Sequence, residues 1–396
     1  MAHQCEVCIV SAVRTPLGGF QGALASLPAT QLGALAIRAA LERIGLAPGA
    51  VQECIMGNVC SAGLGQAPAR QAALGAGLPP SVVCTTVNKV CASGLKAVAL
   101  AAQSIRLGAA EVAVAGGMES MSRVPYYAPG ARAGLRMGHA QLLDGMLLDG
   151  LWDHMNDVHM GECAERCAEE YGISRREQDD HALESHRRAG QATRAGITAE
   201  EIVPVDVPGR RGMPSIRISK DEAPAKLDAG RLRSLRPAFR PGGSVTAGNS
   251  SPLADGAAAL VLASSAAAAR LGLPVLAHLR GCADAEQDPV HFTTAPAAAI
   301  PRALAAAGLA PGDVDFYEIN EAFSVVDLVN RRLLGLDPAR VNAHGGAVAL
   351  GHPIGASGAA LLVRLLGVLR HAGARTGVAA VCNGGGGASA AVIQLA

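Results

Sequence analysis

The sequence predicts a mixed α/β protein built from two related halves, with a third unit inserted into the first. Three observations predict it: the chain repeats itself, strand-like and helix-like segments alternate within each copy, and one copy is longer by about 130 residues. The repeat is clearest in IRAALERIGLAPGAV at residues 37–51, which returns as IPRALAAAGLAPGDV at residues 300–314. Leu41, Gly45, Leu46 and Pro48 are answered by Leu304, Gly308, Leu309 and Pro311. Each copy reads as an amphipathic helix stopped by glycine, then a short turn, then a strand at 54–56 or 315–319.

The parallel continues along both copies. Ser93-Gly94 opens one helix and Ser357-Gly358 another. A strand at 112–115 before Gly116-Gly117 matches one at 378–381 before Asn383 and the following glycines, and the last strands, 257–263 and 388–395, also correspond. The extra residues fall between Glu119 and Ser250, which divides the chain into 1–118 with 250–272, an inserted unit at 119–249, and 273–396. Charged stretches of the insertion, such as residues 165–188, read as helices with solvated faces. Equivalent halves can pack their helices together in a layered sandwich, with chemistry where both present strand ends and helix starts.

Half of the 396 residues are hydrophobic, enough for large buried cores. A net charge of +1 and 3% aromatics argue against nucleic acid as a partner. The N-terminus runs into a strand-like segment at 5–10 with no signal-peptide pattern, which predicts a cytoplasmic protein. The longest uncharged stretch, 376–396, contains Asn383 and the glycines 384–387, so two strands around a turn are expected there and no membrane span.

Ten cysteines without a secretory signal imply reduced thiols. Cys5 and Cys8 have the spacing of half a zinc knuckle, but no second close pair completes it, and no metal is expected. Cys163 and Cys167, four apart on a predicted helix at 159–171, suit packing.

Cys91 is different. It lies in TTVNKVCASGLKAVAL, where the β-branched run at 82–87 gives way to a helix with Leu95, Val98, Ala99, Ala102 and Ile105 on one side. A helix N-terminus favours the thiolate that attacks a thioester carbonyl, although a lone cysteine in such a run is more often a packed side chain. His352, in HGGAVALGHPIGASGAAL, occupies the equivalent loop of the other half and is a candidate base for it. Cys382 follows a strand and precedes the glycine run, whose backbone amides suit a developing oxyanion. Asn320, in VDFYEINEAFSVV, stands before a helix expected from about Ala322. It fits an N-cap, an anchor for water or carbonyl, or both. The glycine run is neither a P-loop, lacking the Lys-Ser/Thr ending, nor a dinucleotide fingerprint.

Five motifs resemble those of the thiolases, in family order and spacing: NKVCASG (88–94), AGGMESMS (115–122), NEAF (320–323), GHPIGASG (351–358) and CNGGGG (382–387). The resemblance covers essentially the whole chain, and biosynthetic acetyl-CoA C-acetyltransferases are the type it points to. It implies two βαβαβαββ halves in an α-β-α-β-α sandwich with an inserted loop domain over coenzyme A. It implies a ping-pong reaction in which Cys91 carries the acyl group, His352 activates it, and Cys382 moves the α-proton of a second acetyl-CoA. The product is acetoacetyl-CoA, with coenzyme A as substrate and product and no permanently bound cofactor.

Two oxyanion sites are implied, one from His352 and a water held by Asn320, the other from the amides of Cys91 and Gly384. By the same matching, His159, Met160, Phe239, Ala247, Ser251, Ala322 and Phe323 line the pantetheine and acyl sites. The chain departs from the pattern in DEAPAKLDAGRLRSLRPAF, which places Pro224 where many biosynthetic thiolases carry a basic residue for the nucleotide end. Lys226, Arg231 and Arg233 are the substitutes at hand. The tyrosine of potassium-activated relatives is also absent, and Phe292 precedes Thr293 in place of proline, leaving 2-methyl substrates open. A homotetramer or dimer is implied. A degradative 3-ketoacyl-CoA thiolase, a ketoacyl synthase and a non-catalytic binding protein are the alternatives. The second cysteine opposes a synthase, and the intact set of four polar residues opposes a binding protein.

Overall fold

Every residue of β1 (Val7–Arg14) is buried, and VCIVSAVR shows no alternation because both faces of the strand are covered. The computed structural model describes residues 6–209 and 213–396, so Cys5 of the close cysteine pair lies outside the described residues. From β1 the first half runs through α1 (Ala29–Glu42), β2 (Glu53–Gly57), α2 (Pro68–Gly75), β3 (Val83–Val87), α3 (Ser93–Arg106) and β4 (Val112–Ser120). The chain then leaves the sheet for a long excursion that includes α4 (Met160–Glu170) and α5 (Arg175–Arg194). It returns as β5 (Ala254–Ser264), antiparallel to β4 with Asp255 opposite Ser120. Departure and return on paired strands let the excursion interrupt the sequence without interrupting the sheet.

The second half contains β6 (Ala277–Glu286), α6 (Ala295–Ala307), β7 (Phe316–Ile319), α7 (Ser324–Leu334), α8 (Ile354–Ala372), β8 (Thr376–Asn383) and β9 (Gly387–Leu395). The strands lie in the order β7-β8-β9-β6-β1-β5-β4-β2-β3. The halves therefore share one continuous sheet path, joined where Cys8 faces His278 and Ile9 faces Ala277. The repeat is visible in the order, with β6, β9, β8 and β7 answering β1, β5, β4 and β2. The counterpart of β3 is reduced to a bridge between Tyr317 and Val341.

Three helical layers cover this path. Leu32 and Ile37 of α1, with Ala72 of α2, pack on Met56 and Val114 of the first half. Ile300 and Leu304 of α6 pack on Val378 and Val392 of the second. Between them, Leu95 and Val98 of α3 share a core with Leu362 and Leu365 of α8, Ile55 and Val381. This is an α-β-α-β-α arrangement, and α8 is its central helix. By length and composition α8 is apolar enough to cross a membrane, but 83% of its apolar window is buried inside the protein. Because α3 is covered by sheet on one side and α8 on another, Ala97 and Ala101 are buried while Ala99 is only partly so, a wider stripe than the sequence pattern suggested.

The repeated Ser-Gly pairs mark where α3 and α8 cross. A Cβ on Gly94 would lie 2.8 Å from the Ala359 nitrogen, and one on Gly358 would lie 2.5 Å from the Leu95 nitrogen. Only glycine permits that approach. It brings the N-terminal ends of the two helices, and the loops before them, to one place. Helix α8 starts at Ile354, three residues ahead of Ser357, so Ser357 sits in its first turn. After β8 the chain turns through Gly385 (φ 89°) and Gly386 (φ 91°) into β9, the expected two strands about a glycine turn. Cys163 and Cys167 are buried beside Val325 and Val329, as packing side chains, and Cys54, Cys60, Cys84, Cys91, Cys163, Cys167, Cys282 and Cys382 are free thiols.

Candidate active site

Between β3 and α3, Val90 adopts φ 46°, a left-handed conformation unusual for a β-branched residue. Its neighbours hold it there. The Lys89 amide donates to Ser93 Oγ (2.8 Å), Ser93 Oγ donates to the Val90 carbonyl (2.6 Å), and the Val90 amide donates to Asn88 Oδ1 (2.9 Å). This turn delivers Cys91, 9% exposed, to the wall of a cavity of about 430 Å³. The N–H groups of Gly384 and of Cys91 itself reach the Cys91 sulfur.

His352 and Gly384 line the same cavity. The His352 amide donates to the Pro252 carbonyl at 2.9 Å, fixing the loop ahead of α8. Its Nδ1 lies 2.6 Å from Ser357 Oγ, which donates its own proton to the Pro353 carbonyl at 3.0 Å. Nδ1 is therefore the protonated nitrogen, and Nε2 keeps a lone pair, toward which Asn320 Nδ2 points at 3.3 Å. Asn320 follows β7 directly, but α7 begins only at Ser324 with Phe323 as its N-cap. Asn320 is thus no helix cap, and its side chain is used on His352.

Electrostatics at the pair differ from the helix-dipole expectation. Burial pushes the Cys91 thiol up to about 12, against the pull of the two amides, and lowers His352 to about 4. The resting pair is neutral thiol and neutral imidazole, so ionising Cys91 requires proton transfer to a base. Cys382 lies within β8, fully buried, and its thiol is raised well above the ordinary range by burial and by neighbouring Cys91.

The seven residues expected around pantetheine and acyl group all line the cavity: His159, Met160, Phe239, Ala247, Ser251, Ala322 and Phe323. His159 caps α4 by accepting from the Gly161 amide at 2.9 Å and stacks on Phe239 at 4.7 Å. Phe239 meets Phe323 edge-on at 6.0 Å, and Phe323 meets Phe292 at 6.4 Å. Gly161 is required beneath this stack, because a Cβ there would come within 2.3 Å of the Phe239 ring. Asn320 and Cys382 are not in the cavity wall; they stand behind it.

The site also holds residues whose roles were not read from the sequence. Met121, Met146 and Leu147 add apolar wall from the insertion. Glu119, fully buried, accepts from Asn58 Nδ2 (2.9 Å) and from the amides of Val59 (3.0 Å), Cys60 (3.2 Å) and Gly355 (2.9 Å). It ties a first-half loop to the first turn of α8. Burial raises its carboxyl to about 7, opposed by those N–H groups. Its place in AGGMESMS was the available signal, as GHPIGASG was for Ser357. A second cavity, of about 440 Å³, shares Ala247, Ser250 and Pro252 with the first and is lined by Lys226 and Arg231. Arg233 is outside that lining and pairs with Asp180, and Pro224 is outside it too.

Comparison with known proteins decides the family. The thiolase N-terminal domain matches residues 7–266, and the thiolase C-terminal domain matches residues 273–395. The chain is a thiolase. Among curated relatives, this thiolase is 60% identical to acetyl-CoA acetyltransferase 2 of Arabidopsis thaliana over 402 residues, covering 100% of both chains. It is 56% identical to acetyl-CoA acetyltransferase of Schizosaccharomyces pombe, covering 98% of each. Its fold matches the Bacillus anthracis acetyl-CoA acetyltransferase with a TM-score of 0.96 at 41% identity, over 99% of each chain. It matches the Acat5 thiolase from Ascaris suum in complex with coenzyme A with a TM-score of 0.94 at 42% identity, over 99% of this chain and 100% of the other.

Proposed function

We infer that this thiolase is an acetyl-CoA acetyltransferase, joining two acetyl-CoA into acetoacetyl-CoA and coenzyme A and running the reverse thiolysis. The observation that carries the reading is the convergence of Cys91, His352 and the Gly384 amide on one largely apolar cavity, with Cys382 buried beside Cys91. The relatives' names and the coenzyme A complex of a similar structure support the choice of acyl group and carrier.

The reaction assigns a task to each group. His352 Nε2 takes the Cys91 proton as sulfur attacks the thioester carbonyl. The amides of Cys91 and Gly384, which already meet at the sulfur, hold the oxyanion until coenzyme A departs. As coenzyme A leaves, Cys382 gives its proton to the departing thiolate, and in the second half-reaction the resulting Cys382 thiolate takes an α-proton from a second acetyl-CoA. His352, with a water on Asn320, stabilises the enolate oxygen, and the enolate carbon attacks the acetyl-cysteine. The neutral imidazole with Nδ1 protonated suits both duties, because Nε2 accepts first and donates after taking the proton.

Residues 119–249 act as the cover over coenzyme A, with pantetheine between the His159–Phe239 stack and Ala247, Ser251. The adjoining second cavity takes the nucleotide end, where Lys226 and Arg231 supply positive charge for its phosphates. The active form is a homotetramer in the cytoplasm. The open edge of β3, with Val83 63% exposed, and exposed Leu135, Met137 and Leu142 support association.

Thiolysis of acetoacetyl-CoA against a long-chain 3-ketoacyl-CoA tests the reading, with intact mass detecting the acyl-enzyme. Rapid cleavage of the four-carbon substrate with an acetyl adduct on Cys91 is the expected result. Preference for the long chain would make this a degradative thiolase, and no adduct from either would make it a binding protein.

A further inference from the structure

The two loops that meet at the Cys91 sulfur come from opposite halves of the fold, and one side chain outside the pocket joins them. We propose that Lys89 is a positioning residue for the oxyanion site formed by Cys91 and Gly384, an inference that rests on the acyl-transfer reading above. Lys89 Nζ donates to Asn383 Oδ1 at 3.0 Å and to the Ala388 carbonyl at 3.4 Å. Asn383 Nδ2 donates in turn to the Gly384 carbonyl at 2.8 Å. The residue whose N–H meets the nucleophile is thereby held by a side chain that Lys89 holds. At its other end Lys89 is rooted in the nucleophile turn, two residues before Cys91, with its amide on Ser93 Oγ.

The ammonium acts through geometry. Glu286 (3.1 Å) and Asp284 (3.6 Å), both on β6, pair with Nζ and offset its charge. The cation therefore serves as a pin between halves, with little field left to lower the thiol. The pin has a strained turn to control, because Val90 at φ 46° lies between Lys89 and Cys91. A Cβ built on Gly384 would lie 3.5 Å from Val90 Cγ1, so the two loops face each other at contact distance. If Lys89 lets go, the donor and the sulfur shift relative to each other, and an oxyanion donor displaced by about 1 Å loses most of its effect.

The test compares Lys89→Met, Lys89→Arg, Asn383→Ala and the double variant Lys89→Met/Asn383→Ala with the wild type. Acetyl-Cys91 formation is followed by rapid quench and intact mass, with acetyl-CoA as probe, alongside KM for acetyl-CoA and thermal unfolding. Lys89→Met is expected to slow acetylation about thirtyfold with KM within about twofold, and Lys89→Arg to recover most of the rate. Asn383→Ala should slow it similarly, and the double variant should be no slower than the worse single one, because both break one linkage. Should Lys89→Met not fold, Asn383→Ala carries the same comparison. Wild-type acetylation by either single variant, or losses that multiply in the double variant, would overturn the proposal. A wild-type enzyme that forms no acetyl-Cys91 would overturn the acyl-transfer reading itself.

Discussion

Ser357 Oγ accepts the Nδ1 proton of His352 at 2.6 Å while giving its own to the Pro353 carbonyl at 3.0 Å. The direction of both bonds is set by the carbonyl, which can only accept. The imidazole is thereby fixed in the tautomer that keeps a lone pair on Nε2, which Asn320 Nδ2 meets at 3.3 Å.

Ser357→Ala removes that constraint without opening a large cavity. Acetylation of Cys91 should fall about tenfold and stability by about 1 kcal/mol. Quench-flow mass spectrometry and denaturant titration measure the two. An unchanged acetylation rate would mean that the tautomer is held by something else.

The pH dependence follows from burial of both partners. Burial favours the neutral form of each group, which is the unprotonated imidazole and the protonated thiol. With His352 near 4 and Cys91 near 12, neither titrates at neutral pH. Acetylation by the free enzyme should therefore be flat from about pH 6 to about pH 8. A rate limb with a midpoint near 7 that persists in Glu119→Gln, and so does not arise from the Glu119 carboxyl raised to about 7, would show instead that a charged pair is the resting state.

Glu119 receives four N–H donors on its two oxygens. Glu119→Gln places an amide NH₂ against donors that need an acceptor, which should cost about 2 kcal/mol or more. It should also loosen the first turn of α8, through Gly355, and slow acetylation. Retention of full stability in a denaturant titration would show that the carboxylate oxygens are not needed.

Gly161→Ala drives a methyl into the Phe239 ring, which a Cβ would approach to 2.3 Å. Since Phe239 stacks on His159 at the edge of the pantetheine path, KM for acetyl-CoA should rise about tenfold. Steady-state kinetics at saturating substrate should show a smaller change in kcat. A change confined to kcat would remove this stack from substrate binding.

Much of this arrangement was legible because it repeats. The Gly45 and Gly308 helix stops and the paired Ser-Gly dipeptides placed Cys91 and His352 in equivalent loops before any contact was known. The glycine crossing of α3 and α8 explains why equivalent loops become adjacent ones. The sign of the environment was not legible. A helix start suggested a thiolate at Cys91, but sequence position carries no information about desolvation, which dominates there. The role of Asn320 also depended on where α7 begins, a boundary two residues beyond the sequence expectation. Glu119, Ser357 and Lys89 act through partners far away in the chain or through rotamers, so their motifs marked them without stating what they touch.

The central claim is a division of labour between two buried cysteines, and Cys382→Ala tests it most directly. The variant is incubated with acetyl-CoA, and acetyl-enzyme and acetoacetyl-CoA are measured in the same sample. An acetyl adduct on Cys91 at near wild-type extent with condensation lost is the expected result, whereas Cys91→Ala loses both. Normal condensation by Cys382→Ala, or failure to acetylate Cys91, would contradict that division of labour.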